Sequence, residues 1–218
     1  MPQYATALRA GTSAIEVNRV LKNTYFLLAF CVAFSAVCAF VSMPLGVSIH
    51  PIVFLVGIFG ISWIVNRTAH TSWGILWTFV YVGFLGVATG PILQMYLAIN
   101  PMLVVQALGL TAASFVGLSM YTIVKRADFS WLGQFLTISV FVILGTFVLS
   151  FFVDLSPLSL LLSGFMVFVA AALIAWQTSR IVLGGETNYI IAANTLFVSI
   201  WILFMNLLSI LGIFSGDE

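Results

Sequence analysis

The side chains that could do chemistry within the interior of this chain are amides and hydroxyls. Gln177 and Ser199 lie in the last two of seven long apolar runs, and neither side chain titrates near neutral pH. The predicted cores of all seven runs contain no Asp, Glu, Lys, Arg or His. Such residues inside a membrane usually mark proton relays and ion pathways, so their absence removes the usual indication of such a site. The other polar residues expected to be buried are Gln94, Gln106, Gln134, Asn194 and Asn206.

Two interpretations of this polar set remain open. In the first, the residues form interhelical hydrogen bonds, each worth about 0.6 kcal/mol on average in a membrane protein. In the second, they line a polar pathway along a central cavity. Gln177 and Ser199, one on each of the last two helices, would be the main members of that pathway.

Familiar catalytic and cofactor sites cannot be assembled from the remaining residues. The two histidines, His50 and His70, lie in turns on opposite faces of the predicted bundle, which disfavours metal or haem ligation. The last span has no Lys for a retinal Schiff base, and no base lies within reach to activate a serine. We therefore expect no enzyme activity, no metal site and no cofactor.

Membrane-spanning helices must position these side chains, because the composition does not suit a soluble fold. Hydrophobic residues make up 62% of the chain and charged residues 6%, with a mean hydropathy of +1.21. Soluble domains average about 25% charged residues. At about 20 residues per span, the 218 residues allow seven helices with short loops. A net charge of +1 without a basic cluster gives no indication of nucleic-acid binding.

The basic residues predict the topology. They occupy only alternate gaps between the apolar runs, so all of them fall on one face if every run crosses the bilayer. Lys and Arg accumulate in cytoplasmic loops, which predicts a cytoplasmic N terminus and an outer C terminus. The basic residues are Arg9, Arg19, Lys22, Arg67, Lys125, Arg126 and Arg180.

The chain is expected to be an all-α membrane protein with two parts. Residues 1–22 are polar and predict a mobile cytosolic tail, here called the N-terminal tail. Residues 23–218 predict a single seven-helix transmembrane domain. The predicted spans cover residues 24–43, 52–65 (or from 47), 74–97, 102–124, 131–153, 158–181 and 189–214.

Small residues and a proline predict local features of these helices. Pro91 follows Gly90 within the third span and removes a backbone hydrogen bond, so a kink or break is predicted there. Small-residue steps from Gly86 to Gly90 and from Ala113 to Gly117 predict close contacts between helices.

The segment Gly184-Gly185-Glu186 separates the last two spans and is the most distinctive of the loops. One interpretation is a helix C-cap followed by an acidic first turn of the seventh span, where a carboxylate favours the helix dipole. The other interpretation is a role in gating or docking.

Four segments together resemble the YccA-like branch of the Bax inhibitor-1 family. They lie in loops and helix ends as well as in apolar runs, and the resemblance covers nearly the whole chain in order. The segments are residues 20–28 (VLKNTYFLL), 83–93 (with GFLG and GPIL), 184–190 (GGETNYI) and 206–212 (NLLSILG).

The resemblance implies six helices around a central one, in a multi-pass protein of the bacterial inner membrane. It also implies association with the membrane-anchored, ATP-dependent protease FtsH and its partners HflK and HflC. In that role the protein modulates the protease and can itself be a substrate. The oligomeric state stays open.

Other branches of the family are credited with a pH-sensitive calcium leak that depends on one aspartate on each of the last two helices. The motif places these acids at Gln177 and Ser199, so this chain lacks both carboxylates. Paired acids titrate near neutral pH because like charges raise one pKa, whereas an amide and a hydroxyl do not. A cation leak channel or small-solute transporter without the acid pair is the alternative function.

The predicted topology favours interaction with the protease over the leak function. An ATPase in the cytosol must seize a cytosolic end, and only about four residues follow the last helix on the outer side. The N-terminal tail is therefore the predicted engagement site, with a tightly packed bundle behind it that resists extraction. Its charged residues are Arg9, Glu16, Arg19 and Lys22.

Overall fold

The computed structural model describes residues 2–47, 49–150 and 152–215, with side chains from residue 15 onward. Within this part the chain is helical and has no strand. Seven helices are long and apolar enough to cross a membrane, which confirms the predicted fold class. The helices are α1 (Pro2–Ser42), α2 (Pro51–Thr68), α3 (Trp73–Ile99), α4 (Pro101–Lys125), α5 (Leu132–Leu149), α6 (Ser159–Val182) and α7 (Tyr189–Ser215).

Residues 2–22 of the N-terminal tail are helical, a secondary structure that was not predicted from the sequence. α1 runs without interruption from Pro2 to Ser42, and it includes a stretch that is long and apolar enough to cross a membrane. Residues 5–10 are mostly Ala, Leu and Arg, which have high helix propensity. Pro2 suits the first helical position, where no N–H is needed.

The chain separates into two compact units. The first unit extends through Asn100 and takes in Ile181–Phe197. The second comprises Pro101–Arg180 and the chain from Val198 onward. In the first unit, both α1 and α2 pack against α3, and α3 buries Tyr81 and Leu85 almost completely.

A row of small residues lets α1 and α3 approach closely. A Cβ atom added to Gly86 would collide with the carbonyl oxygen of Ser35, and one added to Gly90 would lie 2.6 Å from that of Ala39. Such approaches of two backbones are possible only where one side chain is absent. The predicted contact at the step from Gly86 to Gly90 is therefore confirmed.

The second predicted small-residue contact is not formed within the described chain. A Cβ atom added to Gly117 would meet no atom within 4 Å, and Ala113 is exposed on the same helix. Small residues at this spacing permit a close helix contact but do not create one, because nearby apolar side chains must also be buried.

α3 continues as a helix through Pro91, so of the predicted kink or break the break does not occur. Pro91 has no N–H to donate to the carbonyl oxygen of Val87, one turn earlier. The hydroxyl of Ser42 donates to that oxygen over 3.1 Å. Gly90 provides the space, because a Cβ atom there would collide with the Ser42 hydroxyl. A side chain of α1 thus replaces the hydrogen bond that the proline removes.

α5 ends earlier than predicted. The fifth span was expected to reach Val153, but the helix ends at Leu149. The N–H groups of Phe152 and Val153 both donate to the carbonyl oxygen of Leu149, which closes a turn and ends the helix.

A capped turn precedes α6. Asp154 accepts hydrogen bonds from the hydroxyl of Ser156 at 2.6 Å and from its N–H at 2.9 Å. These two bonds stabilise the carboxylate and lower the pKa of Asp154 below its usual value. A short 3-10 helix, Ser156–Leu158, then leads into α6.

Candidate functional site

α6 and α7 run in opposite directions through the second unit. The hydroxyl of Ser163 on α6 donates to that of Ser209 on α7 over 3.2 Å. Further along α6, Ile174 belongs to the same buried cluster as Leu203. The residue number thus rises along one helix as it falls along the other, and the two contacts fix the relative register of the helices.

This register places Gln177 of α6 level with Ser199 of α7. Their exposed fractions are 1% and 0%, so both positions are inside the second unit. The Nε2 atom of Gln177 has no hydrogen-bond partner among the described protein atoms, and the same is true of the hydroxyls of Thr178 and Ser119. An unpaired buried polar group costs about 1–3 kcal/mol. The second unit therefore carries polar groups that its own packing does not satisfy.

The other polar residues do not form the buried set that the sequence predicted. Asn194 is buried, and its Oδ1 atom has no partner among the described atoms. Asn206 donates to the carbonyl oxygen of Ile202 in its own helix, at 2.8 Å, rather than to a neighbouring helix. Three glutamines lie exposed on helix surfaces, because none of the described residues covers the faces that carry them: Gln94, Gln106 and Gln134.

The described residues hold no group of three or more His, Cys, Asp or Glu side chains that could bind a metal ion. His50 and His70 are both exposed. The Nδ1 atom of His50 accepts a hydrogen bond from the N–H of Ile52 at the start of α2, which is a local helix-start contact.

The loop between α6 and α7, residues 183–188, begins with a tight turn. Gly184 has a φ angle of +78°, a left-handed conformation that glycine adopts without strain. Its N–H donates to the carbonyl oxygen of Ile181 over 3.1 Å. This agrees with the C-cap that the sequence predicted.

Asn188 rather than an acid caps the start of α7. Its Oδ1 atom accepts from the N–H of Ile190 at 2.9 Å and from that of Ile191 at 3.3 Å. Glu186 was predicted to lie in the first turn of α7, but it precedes the helix. Its carboxylate accepts from the N–H of Asn188 at 3.0 Å. Asn188 already occupies the capping position, so the carboxylate of Glu186 stabilises the loop and does not cap the helix.

The Asn188 side chain also joins this loop to the loop between α2 and α3. Its Nδ2 atom donates to the carbonyl oxygen of Ala69 over 2.9 Å and lies 3.4 Å from Nδ1 of His70. A cavity of about 370 Å³ lies beside this contact. Hydroxyl-bearing residues line part of it, namely Thr71, Ser72, Thr187 and Tyr189.

A second cavity, of about 330 Å³, lies where α1 passes the same loop. Its charged and glycine lining residues are Glu16, Arg19, Gly184 and Glu186. The loop thus lies against the part of α1 that leads out of the predicted membrane span. Of the predicted engagement residues, Glu16, Arg19 and Lys22 are exposed, and Arg9 lies outside the residues whose side chains the structure describes.

Comparison with known proteins places these features in a family. Residues 17–216 match the family described as inhibitor of apoptosis-promoting Bax1. A protein of Escherichia coli K12 named modulator of FtsH protease YccA is 40% identical over 219 aligned positions that cover all of both chains. An uncharacterized protein of Pseudomonas aeruginosa is 42% identical, with 93% of each chain covered.

The same comparisons bear on the cellular location. A further full-length relative, 40% identical, is named inner membrane protein YccA, from another strain of E. coli. An uncharacterized membrane protein of Vibrio cholerae is 40% identical over 94% of this chain. With seven helices able to span a membrane, these names confirm a multi-pass protein of the bacterial inner membrane. Because the family match covers residues 17–216, which is nearly the whole sequence, the chain belongs to the Bax inhibitor-1 family.

Proposed function

We propose that this chain is a regulatory protein that binds and modulates the membrane protease FtsH, together with HflK and HflC. The proposal rests on the 40% identity, over the whole length of this chain, to the E. coli protein named as a modulator of that protease. In this proposal the chain is also a substrate, which the protease engages through the N-terminal tail.

The shape of α1 supports the second part of the proposal. A single helix joins the N-terminal tail to the first membrane span, without a break from Pro2 to Ser42. Glu16, Arg19 and Lys22 are exposed along it. A force applied to the tail is therefore transmitted directly to the packed part of the first unit.

Co-purification tests the binding. The tagged full chain is expected to retain FtsH, and with it HflK and HflC, after extraction in mild detergent. A tagged seven-helix membrane protein of another family, expressed at the same level, serves as the control. Equal recovery of FtsH with the control protein would contradict the proposal.

Two N-terminal variants test the engagement. The first lacks residues 2–14, and the second replaces them with a Gly-Ser segment of equal length. If the protease recognises the tail sequence, both variants persist longer than the parent in cells with active FtsH, and both inhibit turnover of its other substrates more strongly. If only length matters, the replacement is degraded as fast as the parent. Degradation of the deletion at the parental rate would refute the engagement role.

The orientation needs its own test, because the proposal requires a cytoplasmic N terminus. Reporter fusions after Ser215 should be active on the outer side of the membrane, and fusions in the loop that follows Thr68 should be active in the cytoplasm. This expectation follows from the distribution of Lys and Arg. A cytoplasmic C terminus would offer the protease a second end and would weaken the case for the tail.

A cation leak is the second candidate function, and one observation favours it. Gln177, Thr178 and Ser119 present buried polar atoms with no partner among the described protein atoms. Such groups are found where water or an ion enters a helix bundle. Calcium flux into proteoliposomes that contain the pure chain, compared with protein-free liposomes, tests this function. No flux above the control would rule it out.

A further inference from the structure

The interface between α1 and α3 is built for unusually close backbone approach. Three glycines of α3 face α1 and are buried: Gly83, Gly86 and Gly90. A Cβ atom on Gly86 would lie 3.0 Å from the Cβ atom of Cys38, besides its collision with Ser35. The two helices are therefore in contact through main chain as well as side chains.

The facing side of α1 is buried over most of the membrane span. The buried residues of α1 recur at helical spacing and are Thr24, Leu27, Leu28, Cys31, Ser35, Ala39 and Ser42. Phe34 adds an edge-to-face contact with Phe79 of α3, at 5.4 Å between ring centres. At the far end, the Ser42 hydroxyl donates to Val87 of α3.

Sliding α1 along its axis would disturb all of these contacts at once. The glycine positions would then face residues that carry larger side chains, and the backbone approach would become a collision. The carbonyl oxygen of Val87 would also lose its donor. Close-packed interfaces resist such shifts, because they have few intermediate arrangements of similar energy.

We infer that the α1–α3 interface sets how fast a protease pulling on the N-terminal tail can extract this chain. This inference rests on the proposed function, in which FtsH engages the tail. A tight interface keeps the protease occupied and makes the chain a modulator. A loosened interface makes it an ordinary, rapidly degraded substrate.

Matched glycine substitutions test the inference. Gly90→Leu overpacks the interface, whereas Gly117→Leu places the same side chain where a Cβ atom meets nothing within 4 Å. In cells with active FtsH, the half-life of Gly90→Leu is expected to fall by about fivefold or more, from the usual cost of overpacking. The half-life of Gly117→Leu should stay within about twofold of the parent. Without FtsH, both variants should persist like the parent.

A cross-link tests the same interface in the opposite direction and does not depend on destabilisation. A Cβ atom at position 83 would lie 3.6 Å from the Sγ atom of the native Cys38. In Gly83→Cys, copper phenanthroline should take two electrons from the two thiols, which release two protons and form a disulfide. In proteoliposomes with FtsH and ATP, the oxidised variant should be degraded several-fold more slowly than the reduced one. Gly117→Cys, treated identically, should show no such difference.

The outcomes separate this inference from the proposed function. If the parent does not bind FtsH, the proposed function fails. If all variants bind FtsH, but Gly90→Leu keeps the parental half-life or the disulfide leaves degradation unchanged, only the α1–α3 inference is overturned. Loss of Gly90→Leu in cells without FtsH would also overturn it, because the variant would then be removed without any pull by that protease. Failure of the disulfide to form would overturn it as well, because the packing of α1 against α3 would then be wrong.

Discussion

The Ser42 hydroxyl donates to the carbonyl oxygen of Val87, 3.1 Å away, which is the carbonyl that Pro91 leaves without a backbone donor. The same hydroxyl lies 2.9 Å from the carbonyl oxygen of Ala39 in its own helix. Its single proton is therefore shared between two acceptors. Because Ser42 is 2% exposed, water cannot readily substitute for it.

Ser42→Ala is expected to destabilise the chain by about 1–2 kcal/mol, because a buried carbonyl loses its donor. The measurement is thermal or chemical unfolding in detergent. The matched variant is Pro91→Ala, in which the residue at position 91 regains an N–H that can bond to Val87.

The double variant decides between this explanation and a simple packing effect. If Ser42 acts by replacing the missing N–H, Ser42→Ala should cost much less in the Pro91→Ala background than in the parent chain. Equal costs in the two backgrounds would show that the hydroxyl does not compensate for the proline.

Asn188 combines a helix cap with a link between two loops, and two substitutions separate these roles. Asn188→Ser keeps an acceptor suited to capping but is too short to reach the carbonyl oxygen of Ala69. It is expected to cost about 0.5–1.5 kcal/mol, the net value of one hydrogen bond. Asn188→Ala loses the cap as well, for about 1 kcal/mol more. Unfolding in detergent measures both, and equal stabilities would show that the cap contributes nothing.

Ser179 links α6 to the loop between α4 and α5. Its hydroxyl donates to the carbonyl oxygen of Ala127 at 2.9 Å and accepts from the N–H of Phe129 at 3.0 Å. Ser179 is 1% exposed, so Ser179→Ala is expected to cost about 1–3 kcal/mol. Ser150→Ala, at an exposed hydroxyl bonded within its own turn, is the control and should change stability by less than about 0.5 kcal/mol.

An acid pair at positions 177 and 199 would test the leak hypothesis. The parent chain is expected to show no steep pH dependence of calcium flux between pH 5 and 8, since Gln177 and Ser199 do not titrate there. In the variant Gln177→Asp/Ser199→Asp, burial and mutual repulsion raise the pKa of one carboxyl. The variant then holds a proton below that pKa and loses it as the pH rises.

Calcium flux through the double-acid variant should therefore change as the pH passes through the raised pKa. The single variant Gln177→Asp is the control, because it has desolvation without the repulsion of a second acid. A steep pH response in the parent itself would contradict the assignment of the switch to these two positions.

The helices could be predicted from the sequence because each is a long apolar run between polar gaps. The start of α4 at Pro101 and that of α7 at Tyr189 fall within a residue of the predicted spans. α1 was predicted too short, since its first turns are polar. Helix propensity is nearly independent of hydropathy, so an apolar run marks a membrane span and not the full extent of a helix.

The candidate site was only partly predictable. Gln177 and Ser199 were singled out by a family motif, and both are buried as expected. The link from Asn188 to Ala69 was not anticipated, because its partners are far apart in the chain and one of them is a carbonyl oxygen. The hydrogen bond that compensates for Pro91 was missed for the same reason, because its donor, Ser42, lies on another helix.

The pairing of Ser42 with a gap at Gly90 and a proline at position 91 has an evolutionary consequence. The proline depends on the other two residues: the glycine admits the hydroxyl, and the hydroxyl compensates for the proline. Substitutions at positions 42 and 91 should therefore occur together among relatives. Relatives that lack the proline are free to replace the serine, whereas relatives that keep the proline are not. Both need the glycine, because a Cβ atom at position 90 would lie 2.6 Å from the carbonyl oxygen of Ala39.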